Sequence, residues 1–277
     1  LNNRSFPPIW ASSARLLQTC LKTKSIMNSK TKKILLQAAG WIAVVAVVFG
    51  VWLCVSLAKD NALLYPTPGE VFIEAAKMLG QKATYLSLLA TLLRSVAAFV
   101  VSAVVAVTLA AITGLFPKAK KYVDVVVLPF RSVPTMSVIL IAVMMFSDEL
   151  VPGFVAFLIV FPVLFSAFER EISDSRLPQV CQVYNVDKGK QLGYVIMPQI
   201  GSVALPCCRD NVPLCIKIII AGEALAFPKR GIGQDMYAAK QSLETARLLA
   251  LTLLMLVVCI LLQVLFGALE KKHGKTN

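Results

Sequence analysis

Several charged side chains lie within otherwise apolar stretches of this 277-residue sequence, and four of them are candidates for a functional role: Arg94, Arg209, Lys217 and Glu223. A charge at the middle of a membrane-spanning helix costs at least about 2.5–3.5 kcal/mol, so such residues usually face a bundle interior or an aqueous cavity. Lys217 and Glu223 are about 9 Å apart along a helix and on different faces, so direct pairing is not expected. Lys217 and Arg94 are interpreted either as attracting an anionic solute or as ion-pair partners of other helices. Arg209 either lines the inner end of a polar path or snorkels to the interface.

Seven cysteines and one histidine are the other side chains that could do chemistry. No two cysteines have the C-x-x-C spacing of a zinc site, and the adjacent Cys207 and Cys208 would form only a strained disulfide. We interpret the cysteines as small hydrophobic residues. His273 stands alone in the carboxyl tail, and the sequence has no G-x-x-x-x-G-K loop for phosphate. A metal site, a cofactor on this chain and catalysis are therefore not expected.

The elements that carry the four charges are predicted to be membrane-spanning helices, so the expected fold class is an all-α, polytopic membrane protein. The chain is 57% hydrophobic and only 16% charged, with a mean hydropathy of +0.74. One span needs roughly 20 predominantly apolar residues. The stretches that qualify predict about six spans: Leu35–Leu57, Leu86–Leu115, Tyr122–Met145, Val151–Phe168, Val203–Phe227 and Ala246–Leu269.

The positions of lysine and arginine predict which loops are cytoplasmic, because cytoplasmic loops retain these residues. Alternate loops, counted inward from the amino terminus, hold basic residues close to the span ends, and one of them is the long polar segment Glu169–Pro198. This segment and both termini are therefore predicted to be cytoplasmic. The net charge of +13 is mostly this topological signal, so nucleic acid is not an expected partner.

Three regions are predicted along the chain. Residues 1–33 form a basic, disordered cytoplasmic tail, residues 34–269 the transmembrane domain, and residues 270–277 a second cytoplasmic tail. Met27 opens a sequence typical of a membrane-protein start, so residues 1–26 are interpreted either as upstream sequence or as part of the tail. The apolar stretch after Lys30 is too long for the core of a signal peptide, and a retained anchor is favoured over a cleaved signal.

Two short helices are predicted within the long polar segment. The first covers Leu177–Val183, and Asn185 after it accepts the left-handed backbone of a tight turn. Asp187 is a helix-capping residue type and predicts a second helix over Lys188–Met197, which ends at Pro198. The alternative interpretation is an amphipathic loop that rests on the bilayer.

This arrangement resembles the coupling segment of the permease subunits of binding-protein-dependent ABC importers, in the branch that handles nitrate, sulfonates, taurine and thiamine-precursor pyrimidines. The family motif reads E-A-A, three residues, G, and then twelve residues to P. In the same register this chain has Gln179, Val180, Cys181, Asn185 and Pro198. The spacing and the proline match the motif, whereas the other four residue types differ from it.

Further segments resemble the same branch in their order and spacing, and together they cover most of Ala62–Leu269. They are similar to the family's external P-x-P-x-E-V sequence, its arginine-bearing second span, prolines of its middle spans, and the end of span five with the following loop. In this sequence they are Leu63–Val71, Thr91–Ser102, Pro129, Pro134, Pro162 and Ala221–Leu254.

The resemblance implies a permease of the bacterial inner membrane with no enzymatic activity of its own. Its implied partners are ATP-binding cassette ATPase subunits, an extracytoplasmic solute-binding protein, a second copy of the chain and the lipid bilayer. ATP-driven closure of the ATPase subunits would drive alternating access through the long polar segment. The residues to which the resemblance gives this coupling role are Gln179, Val180, Cys181, Asn185, Asp187, Lys188 and Pro198.

Two other classes of protein are weighed against the importer. An ion-coupled secondary transporter or channel subunit is the alternative, and it would place several carboxylates inside the spans, where this sequence has mainly Glu223. A membrane-embedded enzyme would need His, Asp or Ser residues clustered near one interface, and the sequence offers no such cluster.

Overall fold

The computed structural model describes residue 40 and residues 43–58, 64–174, 177–184 and 186–273, without the side chains of residues 178, 179, 182 and 273. The described residues are helical apart from short connections, and none of them lies in a β-strand. The all-α prediction is therefore confirmed. The chain divides into two compact units, Leu1–Pro68 and Gly69–Asn277.

The first unit contributes one described helix, α1, over Ala43–Ala58. Residues 65 and 66 contact this helix, because the Trp52 indole N–H donates to the Pro66 carbonyl at 3.2 Å and the Ser56 hydroxyl donates to the Tyr65 carbonyl at 2.7 Å. Helix α1 covers the later part of the predicted first span and ends one residue beyond it. The earlier residues of that span, apart from residue 40, lie outside the described residues.

Ten further helices follow in the described part of the chain. A π-helical turn at Leu192–Ile196 joins the eighth helix to the ninth without interruption. In chain order the helices are α2 Pro68–Leu79, α3 Lys82–Leu115, α4 Pro117–Ser132, α5 Thr135–Met145, α6 Val151–Asp174, α7 Leu177–Val183, α8 Lys188–Gln191, α9 Met197–Ala226, α10 Ile232–Gln241 and α11 Thr245–His273.

Helices α3, α6 and α9 form the core of the second unit, and α10 and α11 pack against α9. The close approach of α6 and α9 depends on a small residue at their crossing. A Cβ atom placed on Gly222 would lie 2.9 Å from the Pro152 Cα atom, which is closer than real Cβ contacts. Glycine at this position therefore sets the distance between the two helices.

Helix α3 places small and hydroxyl-bearing residues inside and large aliphatic residues outside. The Ser95 and Ser102 hydroxyls donate to the carbonyls of Thr91 and Ala98, each at 2.7 Å, so these buried hydroxyls are satisfied within the helix. Large apolar residues facing outward and small residues at the helix contacts are typical of helices packed in a bilayer. The exposed aliphatic residues of α3 include Leu89, Leu93, Val96, Val100 and Val104.

Three helices of the described chain are long and apolar enough to cross a membrane, namely α3, α6 and α11, and they correspond to three of the six predicted spans. A fourth candidate is the pair α4 and α5, which is bent by 94°. The bend has a local cause, because Val133 precedes Pro134 and adopts an extended backbone with ψ 130°. The structure is thus compatible with a multi-pass membrane protein.

Helix α9 contains the predicted fifth span but is not among the three candidates. Its 30 residues include two internal prolines, Pro206 and Pro213, and four charged residues. These charges reduce the apolar character of the helix at several levels. They are Arg209, Asp210, Lys217 and Glu223.

The short-helix region after α6 agrees with the sequence prediction except at its end. Helix α7 has the predicted bounds, and the Asp187 carboxylate caps α8 by accepting from the Gly189 N–H at 3.0 Å. The prediction that the second helix ends at Pro198 is wrong, because the helix continues through this proline into α9. The π-helical turn directly before Pro198 supplies the reason. The Met197 N–H already reaches back to the Leu192 carbonyl, and a wider turn tolerates a residue that lacks an N–H.

Candidate functional site

Glu223 of α9 is fully buried and has three kinds of hydrogen-bond donor around its carboxylate. The Thr91 hydroxyl lies 2.9 and 3.1 Å from the two oxygens, and the Arg94 Nη1 atom donates to Oε1 at 2.8 Å. The Gly233 backbone N–H donates to Oε2 at 3.0 Å. A buried carboxylate is tolerated when its oxygens are satisfied and a cation lies beside it, and both conditions hold here.

Arg94 of α3 connects Glu223 to two loops. Its Nη1 atom also donates to the Arg230 carbonyl at 2.7 Å, and its Nη2 atom forms an ion pair with the Glu149 carboxylate. The second Glu149 oxygen accepts from the Lys229 N–H at 2.8 Å. One guanidinium therefore lies between two carboxylates and donates to three acceptors of this chain.

We refer to this group as the Glu223 cluster. The Thr91 hydroxyl also accepts from the Ile232 N–H at 2.9 Å, which adds the start of α10 to the network. The cluster holds together α3, α9, α10 and the connection between α5 and α6. It consists of the side chains of Thr91, Arg94, Glu149 and Glu223 together with the backbone of residues 229–233.

Two glycines allow the backbone to cross directly over Glu223. A Cβ atom on Gly231 would lie 2.8 Å or less from both carboxylate oxygens of Glu223. A Cβ atom on Gly233 would overlap the Ile220 carbonyl oxygen and come within 2.7 Å of the Glu223 Cβ atom. Any larger residue would displace the loop from the carboxylate. The Glu223 cluster therefore depends on glycine at both positions.

The chain leaves α9 through a left-handed residue that turns it toward the cluster. Phe227 has φ 53° and ψ 51°, and its N–H donates to the Glu223 carbonyl at 3.2 Å. This conformation is uncommon for a residue other than glycine. The Phe227 ring is held against the Tyr237 ring of α10 at a centroid distance of 4.7 Å. The aromatic contact helps to keep the turn in place.

Glu149 differs from Glu223 because its side chain is 44% exposed. It lies in the connection between α5 and α6 rather than within a helix. The Lys229 N–H, and to a smaller extent the Arg94 guanidinium, hold the pKa of the Glu149 carboxyl below its usual value, although partial burial acts in the opposite direction. Glu149 is thus a carboxylate at neutral pH and forms the more accessible side of the Glu223 cluster.

A cavity of about 450 Å³ lies beside the Glu223 cluster, between α3 and α6. Arg94 and Glu149 form its polar end, and the rest of its wall is aliphatic or aromatic. No group of three His, Cys, Asp or Glu side chains within the described residues is arranged to hold a metal ion. The apolar wall includes Ala97, Ala98, Val101, Phe146, Phe154 and Phe157.

The structure separates the four candidate charges into three environments. Arg94 and Glu223 lie together in the Glu223 cluster, as the ion-pair interpretation of Arg94 predicts. Arg209 donates to Asp210 at 2.9 Å and to Glu270 of α11 at 2.7 Å. Lys217 is exposed on α9 and forms no ion pair with Glu223 or with any other side chain of the described chain.

Residues 177–191, which we call the elbow, contain most of the predicted coupling residues. Five large apolar side chains among the described residues of the elbow are exposed. Val180 is 47%, Val183 79% and Tyr184 77% exposed, and the other two are Leu177 and Val186. Cys181 is buried. The Lys188 ammonium lies 4.0 Å from the ring centroid of Phe116, at the end of α3. The Gln179 side chain and Asn185 lie outside the described residues, and Pro198 lies beyond the elbow in α9.

Sequence reasoning found Arg94 and Glu223 but missed the residues that complete their cluster. Glu223 and Thr91 are 132 positions apart, so their contact has no local signature. The one available signal was the glycine pair at 231 and 233, which follows shortly after an acidic residue in a span. Glycines so close to a buried carboxylate indicate a backbone that passes near it.

No family model matches this chain, and no curated protein matches it either. The function is therefore argued from the Glu223 cluster, the elbow and the apolar helices themselves.

Proposed function

We propose that this chain is the transmembrane permease subunit of an ATP-driven importer in the bacterial inner membrane. Two copies would form the pathway of a small solute, and separate ATP-binding cassette subunits would supply the energy. The observation that carries the proposal is the elbow, because it exposes Val180, Val183 and Tyr184 next to the end of an apolar helix. Exposed apolar side chains on two short helices are suited to the groove of a partner protein.

Six spans are part of this proposal. Helices α3, α6 and α11 are three of them, the bent pair α4 and α5 is the fourth, and α1 and α9 are the other two. The charges of α9 favour a position inside a bundle, because Glu223 and Arg94 satisfy each other there. The distribution of lysine and arginine then puts both termini and the elbow in the cytoplasm. A solute-binding protein would approach the opposite side, near α2 and α10.

The proposed mechanism is alternating access without covalent chemistry on this chain. Closure of the ATPase subunits would move the elbow, and the continuous helix from Lys188 to Ala226 would transmit this movement into the bundle. At the other end of the same helix, the Glu223 cluster ties α9 to α3 and α10. Binding of nucleotide must favour one of the two states for this movement to occur.

Co-purification tests the proposal. The chain is tagged at its native expression level, solubilised in mild detergent and isolated, and the bound proteins are identified by mass spectrometry. We expect an ATP-binding cassette subunit with the wild type and its loss with Val183→Glu, since a charge at an exposed apolar contact disrupts docking without disturbing the fold. Ile73→Glu on α2, where the side chain is 59% exposed, is the matched control and should retain the subunit.

Two results would contradict the importer. The first is a wild-type preparation that never contains an ATPase subunit under any mild detergent condition. The second is solute uptake that continues without ATP and follows an ion gradient, which would favour the secondary transporter. Loss of the ATPase in Ile73→Glu as well as in Val183→Glu would contradict the assignment of docking to the elbow.

A further inference from the structure

The charges in the middle of the helices are not equivalent once their partners are known. Arg94 is 18% exposed and lies between Glu223 and Glu149, so its charge is already matched. Arg209 is matched by Asp210 and Glu270. Lys217 is the exception among these cations, because it is exposed and has no ion-pair partner in the described part of the chain.

Lys217 lies near the middle of α9, far from both ends of the predicted span Val203–Phe227. At a rise of 1.5 Å per residue, it is about 21 Å from the start of this span and about 15 Å from its end. Both distances exceed the length of a lysine side chain, so the ammonium group would not reach either interface by snorkelling. An unpaired ammonium at this depth is unfavourable in lipid and requires water or a counter-charge.

The face of α9 that carries Lys217 is incompletely packed. Leu214, three residues before Lys217, and Ala221, four residues after it, are only partly buried, whereas the neighbouring Ile218 and Ile219 are buried. Residues three and four positions apart share one face of a helix. A partly exposed strip therefore continues along the helix on both sides of the lysine.

We infer that this strip lines the water-filled solute path and that Lys217 selects for small anions. The inference rests on the proposed function, because it takes α9 as a span of a permease. The ammonium group would attract an anionic head group such as a sulfonate or a carboxylate at the middle of the path. The Glu223 cluster does not serve this purpose, since its one guanidinium and two carboxylates leave a net negative charge.

A cysteine at position 221 makes the potential near Lys217 measurable without knowledge of the natural solute. The full chain with Ala221→Cys is treated in native membranes with an anionic thiosulfonate (sulfonatoethyl) and a cationic one (trimethylammonioethyl), and the two reaction rates are compared. The same chain without Ala221→Cys gives the background from native cysteines. We expect both reagents to react and the anionic one to be favoured.

Removal of the lysine charge should change this preference. One unit charge at about one helical turn in a polar cavity raises the local concentration of an anion about three- to tenfold and lowers that of a cation by the same factor. Lys217→Gln should therefore lower the anionic-to-cationic rate ratio by the square of this factor, about ten- to a hundredfold. Lys217→Arg should preserve the ratio. Val104→Cys, on the exposed aliphatic face of α3, is the control that should react with neither reagent.

The inference fails if Ala221→Cys reacts with neither reagent, because the strip is then not accessible to water. It also fails if Lys217→Gln leaves the anionic-to-cationic rate ratio at Ala221→Cys unchanged. Its failure is distinct from failure of the importer. An ATPase that co-purifies with a chain whose Ala221→Cys is unreactive overturns only the role of Lys217. A charge-selective Ala221→Cys in a chain that binds no ATPase overturns only the importer and leaves Lys217 in an anion path.

Discussion

At the scale of single residues, the Glu223 cluster contains a buried ion pair, formed by Glu223 and Arg94, whose carboxylate oxygens all accept hydrogen bonds. The free-energy cost of desolvating two charges is offset only when the ion-pair geometry is good and the remaining donors and acceptors form hydrogen bonds. Both oxygens of Glu223 accept hydrogen bonds, and Arg94 has a second carboxylate in Glu149. The two members of the pair are therefore unequal. Glu223 depends on Arg94 for its counter-charge, whereas Arg94 retains Glu149 when Glu223 is neutralised.

This inequality predicts the order of stability of three variants. Arg94→Gln should be the most damaging, by about 3–5 kcal/mol, because it leaves a fully buried carboxylate without a cation. Glu223→Gln should cost less, and the double variant Arg94→Gln/Glu223→Gln should be more stable than Arg94→Gln alone. Thermal unfolding of the detergent-solubilised protein measures the order. The exposed pair of Lys77 with Glu74 provides the control, since Lys77→Gln should change stability by less than about 1 kcal/mol. An Arg94→Gln variant as stable as Lys77→Gln would contradict the role of the pair.

The two glycines over Glu223 allow a second test with a matched control. Gly233→Ala puts a methyl group into the Ile220 carbonyl and the Glu223 side chain, so we expect the loop to leave the carboxylate and the unfolding midpoint to fall. Gly153→Ala in α6 adds a methyl group with nothing within 4 Å. This control should be neutral or should stabilise the helix by about 0.5–1 kcal/mol. Equal unfolding midpoints for the two variants would show that the close approach of the Gly233 backbone to Glu223 does not contribute to stability.

At the scale of elements, local chemistry predicted some boundaries well. The bounds of α7 and the cap at Asp187 follow from residue types within one helical turn, so the sequence contains the information needed. The continuation of the helix through Pro198 was missed, because the residue types around it do not predict the π-helical turn at Leu192–Ile196 that precedes it. Likewise, the predicted span Tyr122–Met145 ran straight through Pro134, and neither the break there nor its angle of 94° was predicted. Angles between helices are set by packing rather than by the turn alone.

The continuous helix from Lys188 into α9 gives the third prediction, which rests on the proposed function. A π-helical turn contains one extra residue, so its closure would rotate α8 by about 100° relative to α9. Pro198→Ala restores an N–H donor and permits this closure. Lys188→Glu removes the ammonium group that lies over the Phe116 ring. We expect each change to lower solute uptake per ATP hydrolysed by about five- to tenfold, the size of a typical coupling between sites.

Reconstituted vesicles with the ATPase subunits provide the measurement of uptake and hydrolysis together. Lys188→Arg is the control, because it keeps both the charge and the contact with the aromatic ring, and it should transport normally. Wild-type uptake per ATP in both Pro198→Ala and Lys188→Glu would remove the elbow from the coupling mechanism.

At the scale of the whole molecule, sequence reasoning reached the all-α class but not the way in which the helices meet. The number of spans was predicted from apolar length, and α9 shows the weakness of that criterion. Its charges lower its apolar character, yet two of them have partners on other helices: the buried Glu223 is matched by Arg94, and the partly exposed Arg209 is matched by Glu270. Such pairing involves residues far apart in the chain, and one sequence alone does not reveal it.

The topology of the whole chain gives the last prediction. If the elbow is cytoplasmic and α10 is on the other side, a cysteine at Tyr184 and one at Lys240, both at exposed positions, should be labelled from opposite sides of the membrane. An impermeant maleimide should react with Lys240→Cys in right-side-out vesicles and with Tyr184→Cys in inverted vesicles, with the parent chain as the background. Labelling from opposite sides requires an odd number of crossings between the two positions, and α9 is the only long described helix between them. Labelling of both cysteines from one side would mean that α9 does not cross, and the six-span arrangement would then be wrong.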